Sequence, residues 1–365
     1  MVIPKTEGIK YIGSKLKILP YILEAIKDLD IVSILDGFSG STRVSQAFAK
    51  SGYIVTSNDI SIWSKVFATA YLLNKQRPSY YNEMIEHLNN VVPYYGWFSK
   101  HYGGREDEVK LPFQVKNTEK ADAIRDEIDR MGLNEIEKSV ALTSLILALD
   151  IVDNTLGHYV AYLSKWSKRS YKDLVLNVPN LFVNEKDNIV TQNDVFEIIK
   201  DKYFDLAYFD PPYGSNNNKM PASRVRYNSY YHIWTTLIKN DKPNLFGKAN
   251  RREDSRDTVT NSVFEDFKKD KNGYFIAINA IKKLITETNS KYILLSYSSG
   301  GRASKREIFE LLNNNGTILK AFEINYKKNV MSKMRWTNEW INSDGKHIEY
   351  LFLIEKNKNL KNNNN

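Results

Sequence analysis

The sequence has 365 residues, with 52 lysines and arginines against 43 aspartates and glutamates, so its formal net charge is +9. This surplus is compatible with a polyanionic partner, although many basic proteins bind no nucleic acid. The absence of cysteine excludes disulfides, thiolate metal sites and a cysteine nucleophile. Residues 9–19 mix lysines among apolar residues instead of forming a secretion signal, and no apolar run is long enough to cross a membrane. We therefore expect a soluble cytoplasmic protein, with no membrane partner.

The first predicted helix follows a short turn. Apolar residues recur at helical spacing from Ile18 to Ile26, directly after Gly13 and Ser14. Tyr11 and Lys15 therefore flank the turn, where an aromatic ring and an ammonium group suit a ligand with a ring and a carboxylate. Taken alone, the pattern is more typical of a capped surface helix with a solvated lysine.

A strand, a glycine turn and a helix come next. The apolar residues 31–35 lead into Asp36-Gly37-Phe38-Ser39-Gly40, and a helical pattern follows. In α/β folds this arrangement brings backbone N–H groups to a nucleotide-like ligand. Because a third glycine is missing, the turn favours a nucleoside over a dinucleotide. A second predicted strand, 53–57, ends near Asp59, which follows Asp36 by 23 positions, as expected for an acid that binds ribose hydroxyls.

The alternation of strands and helices stops between residues 71 and 175. This part predicts helices at 118–131 and 135–152, the second with Asn134 as N-cap and Glu137 as its capping-box partner. Basic residues interleaved with aromatic ones then favour phosphate contact, although a solvated face is the commoner meaning of such a charge run. These basic candidates are Lys165, Lys168, Arg169 and Lys172.

The pattern resumes with a strand that ends at Asn193 and Asp194, and then with an aromatic-rich strand at 203–209. Two prolines stop the latter, so Asp210-Pro211-Pro212-Tyr213 should lie at the carboxyl edge of a core strand. This tetrapeptide suits methylation of an exocyclic amine. Asp210 and the Pro211 carbonyl would accept the two amine N–H groups, and Tyr213 would stack on the base. An ordinary proline turn is the plain alternative.

A long polar stretch after Tyr213 predicts a loop that closes over nucleic acid. Its basic candidates are Arg224, Arg226, Arg251 and Arg252. For His232 we expect packing or phosphate contact and not metal binding, because no cluster of His, Asp or Glu has metal-ligand spacing. We therefore expect no metal. Two last strands, near 322–326 and 348–354, should pair antiparallel at a sheet edge, and 356–365 should be a disordered tail.

Together these motifs resemble the D12 class of adenine-specific N6 DNA methyltransferases, to which Dam-type enzymes belong. Residues 11–15 look like the family's aromatic-x-G-G/S-K segment, and 36–40 look like its phenylalanine-glycine loop. Asp210-Pro211-Pro212-Tyr213 is identical to its catalytic tetrapeptide. Thr42 departs from versions of the loop that carry a second glycine there.

The resemblance implies an α/β protein with a class I, Rossmann-like sheet that binds S-adenosylmethionine and carries a C-terminal antiparallel hairpin. Residues 1–70 and 176–355 would form the catalytic domain, and 71–175 an inserted, mainly helical target-recognition domain. The implied partner is double-stranded DNA, with the target adenine flipped out of the duplex; a bacterial type II system would add a restriction endonuclease acting on the same site. The implied cofactor-binding residues are Tyr11, Lys15, Asp36, Phe38, Ser39, Gly40, Asp59, Asp194 and Asp210.

The same motifs also suit other functions. The same chemistry suits cytosine N4, RNA or a protein glutamine amide, and a methyltransferase fold without activity can serve as a DNA-binding module. Methylation at cytosine C5 is excluded, because it needs a cysteine adduct and the chain has no cysteine.

Overall fold

The computed structural model describes residues 2–105, 107, 111–214, 227–256, 262–266, 268–326 and 347–357. The strands of these residues are β1 Ser33–Asp36, β2 Ile54–Asn58, β3 Gly103–Gly104, β4 Phe113–Gln114, β5 Ile189–Thr191, β6 Phe204–Phe209, β7 Leu245–Phe246, β8 Arg251–Arg252, β9 Ser290–Ser298, β10 Gly316–Tyr326 and β11 His347–Lys356. The helices are α1 Leu19–Ile26, α2 Arg43–Lys50, α3 Ile62–Leu72, α4 Asn82–Asn90, α5 Trp97–Tyr102, α6 Val115–Arg130, α7 Glu135–Val152, α8 Val195–Asp201, α9 Tyr227–Tyr230, α10 His232–Lys239, α11 Ile276–Glu287 and α12 Lys305–Asn315. Short 3₁₀ helices occupy Lys15–Lys17, Pro78–Tyr81, Lys168–Tyr171 and Glu253–Ser255.

Within these ranges the central sheet has seven strands in the order β10-β11-β9-β6-β1-β2-β5. The strands from β9 to β5 are parallel, and β11 is antiparallel to both β9 and β10. This confirms the α/β class and the predicted C-terminal hairpin. The direction of strand order reverses between β1 and β6, so their carboxyl ends form the crevice where α/β sheets bind ligands.

Alternation along β6 explains why this strand lies inside the sheet. Leu206 and Tyr208 belong to the apolar core on one face, while Ala207 and Phe209 belong to the core on the other face. A strand that is covered on both faces is a rigid support for whatever follows its last residue.

The helical region has its own core, but it does not stand apart from the sheet region. Trp63 and Phe67 of α3 lie in the same buried cluster as Leu145 of α7 and Trp234 of α10. The capping box of Asn134 and Glu137 at the start of α7 is confirmed. Because α3 and α10 contribute to this core, an independent domain at 71–175 stays a prediction.

Two expectations at the element level need correction. Residues 227–239 form α9 and α10 instead of a loop, because Tyr231, Trp234 and Ile238 recur at helical spacing and are buried. Lys356 belongs to β11 and not to a disordered tail, and residues 358–365 of the predicted tail lie outside the described part of the chain. Of the helices in the described ranges, none is long and apolar enough to cross a membrane.

Candidate active site

Asp210 and Asp36 meet at the carboxyl edge of the sheet. Strand β6 ends at Phe209, and β1 ends at Asp36, which pairs in parallel register with Tyr208. The two acids therefore end neighbouring strands at the reversal of strand order, as the sequence predicts. Pro211 and Pro212 then carry the backbone away from the sheet, since proline cannot extend the ladder of hydrogen bonds.

Four side chains form what we term the edge cluster: Lys15, Asp210, Tyr213 and Glu349. The Lys15 Nζ atom lies 2.9 Å from Asp210 Oδ1 and 2.9 Å from Glu349 Oε1. It also donates to the Tyr213 hydroxyl at 2.8 Å. Tyr213 in turn donates to Glu349 Oε1 at 2.7 Å and is in hydrogen-bond contact with Asp210 Oδ1. The cluster joins the N-terminal turn, the loop after β6 and strand β11.

Charge in the edge cluster is unevenly balanced, with one ammonium group for two carboxylates. Burial raises the pKa of Asp210 to about 6, because desolvation and the negative charge of Glu349 outweigh the positive charge of Lys15. Burial acts in the same direction on Glu349, but the Lys15 charge and hydrogen bonds outweigh it and lower the pKa. For Lys15, burial opposes ionisation, yet the two carboxylates outweigh it and raise the pKa.

Tyr213 is turned toward the sheet in this structure. Its ring packs against Tyr297 with a centroid distance of 4.9 Å, and its backbone carbonyl accepts the Arg302 N–H at 2.8 Å. The hydroxyl is engaged by the edge cluster. Stacking on a substrate base would therefore require the ring to turn away from Tyr297.

The glycine turn after β1 is held by Asp59. Its Oδ2 accepts the Gly40 N–H at 2.9 Å, and its Oδ1 accepts the Ser61 N–H at 2.9 Å. Gly40 has φ +49°, and a Cβ there would lie 3.2 Å from the Tyr11 ring, so both the backbone and the space favour glycine. Thr42 also has a left-handed φ, of 62°, although it is β-branched. The turn therefore holds a β-branched residue in a backbone conformation that favours glycine, at a cost in strain.

Two buried polar atoms beside this turn have no hydrogen-bond partner among the described residues. They are Asp36 Oδ1 and Ser39 Oγ. Asp36 Oδ2 accepts the Ser45 hydroxyl at 2.6 Å, but burial raises the pKa of the Asp36 carboxyl to about 7 despite this bond. Because buried polar atoms are normally paired, these two favour a polar ligand at the edge of the sheet.

Tyr11 lies in an aromatic group behind the turn. Its ring is stacked on Tyr231 and Tyr227, with centroid distances of 4.9 and 5.2 Å, and is tilted against Trp63 at 5.5 Å. Burial raises the pKa of the Tyr11 hydroxyl well above its usual range. The sequence-predicted ring therefore borders the turn but is already packed within the protein.

Phe38 belongs to the glycine turn, and Asp194 precedes α8. The Phe38 ring packs edge-on against Phe264 at 5.2 Å. Asp194 is exposed and caps α8 by accepting the Phe196 N–H at 2.9 Å. Its carboxylate is less enclosed than those of Asp36, Asp59 and Asp210.

The residues proposed to contact phosphates fall into separate groups. Lys165, Lys168 and Lys172 are exposed, whereas Arg252 is buried, with its guanidinium 2.6 Å from Asp241 and 2.9 Å from Asp254. Arg224 and Arg226 lie outside the described residues.

The remaining two arginines bond to the protein itself. Arg169 lies 2.8 Å from Asp153, and Arg251 donates to the Ser255 carbonyl at 2.6 Å. The three lysines are thus the most accessible of the described candidates.

Glu349 is the member of the edge cluster that sequence reasoning missed. The signal was present: one acid stands next to Ile348 and directly before the apolar residues 350–354. An acid at such a position is buried when the strand is central, and it then needs partners. Its partners come from residues far away in sequence, so spacing alone does not identify them.

Comparisons with known proteins agree with this geometry. A family model described as "D12 class N6 adenine-specific DNA methyltransferase" matches residues 11–299. The chain is 29% identical to "Modification methylase StsI" of Streptococcus sanguinis and 28% identical to "Type II methyltransferase M.FokI" of Planomicrobium okeanokoites; each alignment covers 95% of the chain and 52% of the relative. "Type II methyltransferase M.NlaIII" of Neisseria lactamica is 28% identical, over 95% of the chain and 99% of the relative. The chain thus spans about half the length of the first two relatives.

Proposed function

The chain belongs to the D12 class of N6 adenine-specific DNA methyltransferases, and we propose that it transfers a methyl group from S-adenosylmethionine to adenine N6 in double-stranded DNA. The observation that carries the proposal is the position of Asp210-Pro211-Pro212-Tyr213. This tetrapeptide follows β6 at the reversal of strand order, with the Asp210 carboxylate held by Lys15 at 2.9 Å.

The exocyclic nitrogen of adenine is a weak nucleophile, because its lone pair is delocalised into the ring. In the proposed complex, Asp210 and the Pro211 carbonyl accept the two N–H groups, which orients the nitrogen and frees its lone pair. Holding both reactants in line provides proximity catalysis. A raised pKa makes Asp210 a stronger base than a solvated aspartate, so it can also take the proton that leaves the amine.

The residues around the glycine turn fit S-adenosylmethionine, which when bound supplies an electrophilic methyl group on a sulfonium. Asp36 Oδ1 and Ser39 Oγ are buried atoms without a partner in the described structure, as expected for atoms that await a polar ligand. Asp59 already orders the Gly40 N–H and still has acceptor capacity for ribose hydroxyls. Lys15 already pairs with Asp210 and Glu349 in the edge cluster, so we assign it to these two carboxylates before the cofactor.

Access to N6 requires the adenine to leave the helix, at a cost of a few kcal/mol of stacking and pairing. In the proposal, the Tyr213 ring turns out and stacks on the flipped base, which offsets about 1–3 kcal/mol of that cost. Lys165, Lys168 and Lys172 contact the DNA backbone. A restriction endonuclease acting on the same site is a further proposed partner, in line with the names "modification methylase" and "type II methyltransferase" of the relatives.

The test is methyl transfer from isotopically labelled S-adenosylmethionine to DNA that lacks N6-methyladenine, followed by nucleoside analysis. We expect labelled N6-methyladenine, with RNA and glutamine-containing protein unlabelled in parallel reactions. Label in N4-methylcytosine would contradict the proposed base. Cofactor binding without any DNA labelling would contradict the substrate, and RNA or a protein amide would then be the candidates. DNA binding with no cofactor binding would indicate a DNA-binding module without activity.

A further inference from the structure

Glu349 is a buried acid in a position where its strand favours an apolar residue. It lies on β11, on the same face as Leu351 and Leu353, which belong to the apolar core. Only 5% of its surface is exposed. A buried carboxylate is costly unless it is paired, and a well-packed apolar residue would usually stabilise a strand as well or better. Stability therefore does not explain why this position carries a charge.

One oxygen of Glu349 collects three hydrogen bonds. Its Oε1 atom accepts from Lys15 at 2.9 Å, from the Tyr213 hydroxyl at 2.7 Å and from the Ser296 hydroxyl at 2.8 Å. The donors come from the N-terminal turn, the loop after β6 and strand β9. Two of the three donors also contact Asp210.

Glu349 and Asp210 compete for the single proton of the Tyr213 hydroxyl. The Tyr213 hydroxyl has a single proton, which it donates either to Asp210 or to Glu349. The Lys15 ammonium has three protons, and its three partners are Asp210, Glu349 and the Tyr213 oxygen. When the hydroxyl donates to Glu349, an acceptor position on Asp210 becomes available to a substrate amine.

We propose that Glu349 is a positioning residue for the methyl transfer: it holds the Tyr213 hydroxyl until the ring turns out and one Lys15 N–H throughout, and so keeps Asp210 available as the acceptor for the target amine. This inference rests on the proposed function. Glu349 acts through Tyr213 and Lys15 and does not touch the substrate.

The charge of Glu349 also sets the basicity of Asp210. The charged and titratable groups in contact with Asp210 are Lys15, Tyr213 and Glu349. Those that interact with it from further away are Asp36, Tyr11, Tyr208 and Tyr227. Of these groups, Glu349 is the nearby carboxylate whose repulsion raises the pKa of Asp210. Without that charge, Asp210 is the one carboxylate of the edge cluster that Lys15 pairs with. The pKa of Asp210 then falls, and Asp210 becomes a weaker base.

The experiment compares Glu349→Gln with wild type. Glutamine keeps an oxygen for Lys15 and Tyr213 but removes the charge. The readout is the single-turnover rate of methyl transfer to DNA between pH 5 and 9, together with the affinity for S-adenosylhomocysteine. We expect the acidic limb of the rate profile to move down by roughly one pH unit. The rate at pH 8 should fall roughly tenfold, because a weaker base accepts the proton less readily.

Two further variants make the comparison specific. Glu355→Gln is the matched control, because Glu355 lies on the same strand with 41% of its side chain exposed, 4.0 Å from Lys291; it should match wild type. Glu349→Leu removes both the charge and the acceptor with an apolar residue that suits the strand, so its acidic limb should move down at least as far, also if Glu349→Gln folds poorly. Affinity for S-adenosylhomocysteine should stay within about threefold in all three variants.

The outcomes separate this inference from the proposed function. If wild type methylates no DNA, the proposed function itself is contradicted. If wild type is active and both Glu349 variants keep its acidic limb, the positioning role is overturned, even if the variants unfold at a lower temperature. A lower melting temperature alone would indicate a purely structural acid. A slower rate together with an acidic limb at lower pH supports the role of Glu349 in keeping Asp210 available and basic.

Discussion

The edge cluster and a second buried group of charges both hold two carboxylates inside the protein, but they differ in the number of cations that balance them. We term the second group the strap cluster; its members are Lys10, Asp150, Asp153 and Arg169. Asp153 is fully buried and binds two cations, with Lys10 Nζ at 2.5 Å and Arg169 at 2.8 Å. The strap cluster has two cations for two acids, whereas the edge cluster has one cation for two acids.

This difference shows that a raised pKa does not by itself identify an active site. Burial raises the pKa of Asp150 to about 7, despite the nearby Lys10 charge, and the pKa of Asp210 to about 6. Yet Asp150 joins α7 to the N-terminal segment by accepting the Lys10 N–H at 2.9 Å. Asp210 instead lies at the reversal of strand order and shares its donors with Glu349. The position in the sheet and the shared donors therefore distinguish an acid with a chemical role from an acid that holds two segments together.

The largest expected effect comes from removing the acid of the edge cluster. Asp210→Ala should reduce methyl transfer at least roughly 10³-fold, because the substrate amine loses its acceptor. Affinity for DNA should stay within about 1–2 kcal/mol, since phosphate contacts dominate binding. Single-turnover kinetics and fluorescence anisotropy measure the two quantities. Near wild-type turnover would contradict the role of Asp210.

The matching change in the strap cluster should act on stability. Asp153→Asn leaves Lys10 and Arg169 without their common anion, and it should lower the free energy of unfolding by about 2–4 kcal/mol. The value is at the low end for a buried pair, because the two cations are 37% and 35% exposed. Urea unfolding measures it. Loss of methyl transfer in Asp153→Asn protein that remains folded would place the strap cluster in the catalytic machinery.

Exposed lysines next to the strap cluster should affect DNA binding and leave stability unchanged. Replacing Lys165, Lys168 and Lys172 by alanine should weaken binding and reduce the slope of log K against log salt by about 0.9 for each DNA phosphate that the variant no longer neutralises. A matched triple change at the exposed residues Lys200, Lys282 and Lys283 of α8 and α11 serves as the control. Equal slopes for wild type and the first triple variant would remove this surface from the interface.

The smallest expected effect is a change of pH dependence in Asp150→Asn. The folded-state pKa of Asp150 lies near 7, above its usual value, so the unfolded chain releases this proton first. Wild-type stability should therefore fall as pH rises from about 4 to 7, and the variant should lack this decrease. We expect the variant to gain about 1–3 kcal/mol at pH 8 relative to its difference from wild type at pH 4. Parallel stability curves for the two proteins between pH 4 and 8 would rule this out.

Local sequence patterns are sufficient to predict much of the site. The strand before Asp210, the glycine turn after β1 and the capping box at Asn134 follow from periodicity and from the chemistry of neighbouring residues. The motif at 210–213 determines its own backbone through two prolines. These features require no knowledge of distant contacts.

What sequence reasoning missed depends on residues far apart in the chain. Glu349 meets Tyr213 across 136 positions, through strand pairing that spacing does not encode. Arg252 resembles a phosphate-binding residue in sequence, but Asp241 and Asp254 pair with it in the fold. Polar residues before Tyr227 obscure the helical spacing of α10, so the sequence pattern there favours a loop. In each case tertiary partners determine the role of the side chain.

The most direct test of the edge cluster as the methyl-transfer site is the yield of N6-methyladenine from three proteins under the same conditions. Wild type and Asp150→Asn should methylate DNA to within about threefold of each other, whereas Asp210→Asn should give no product above background. Both variants neutralise a buried acid with a raised pKa, so they differ only in where that acid lies. Equal yields from Asp210→Asn and wild type, or loss of product in folded Asp150→Asn alone, would contradict the assignment.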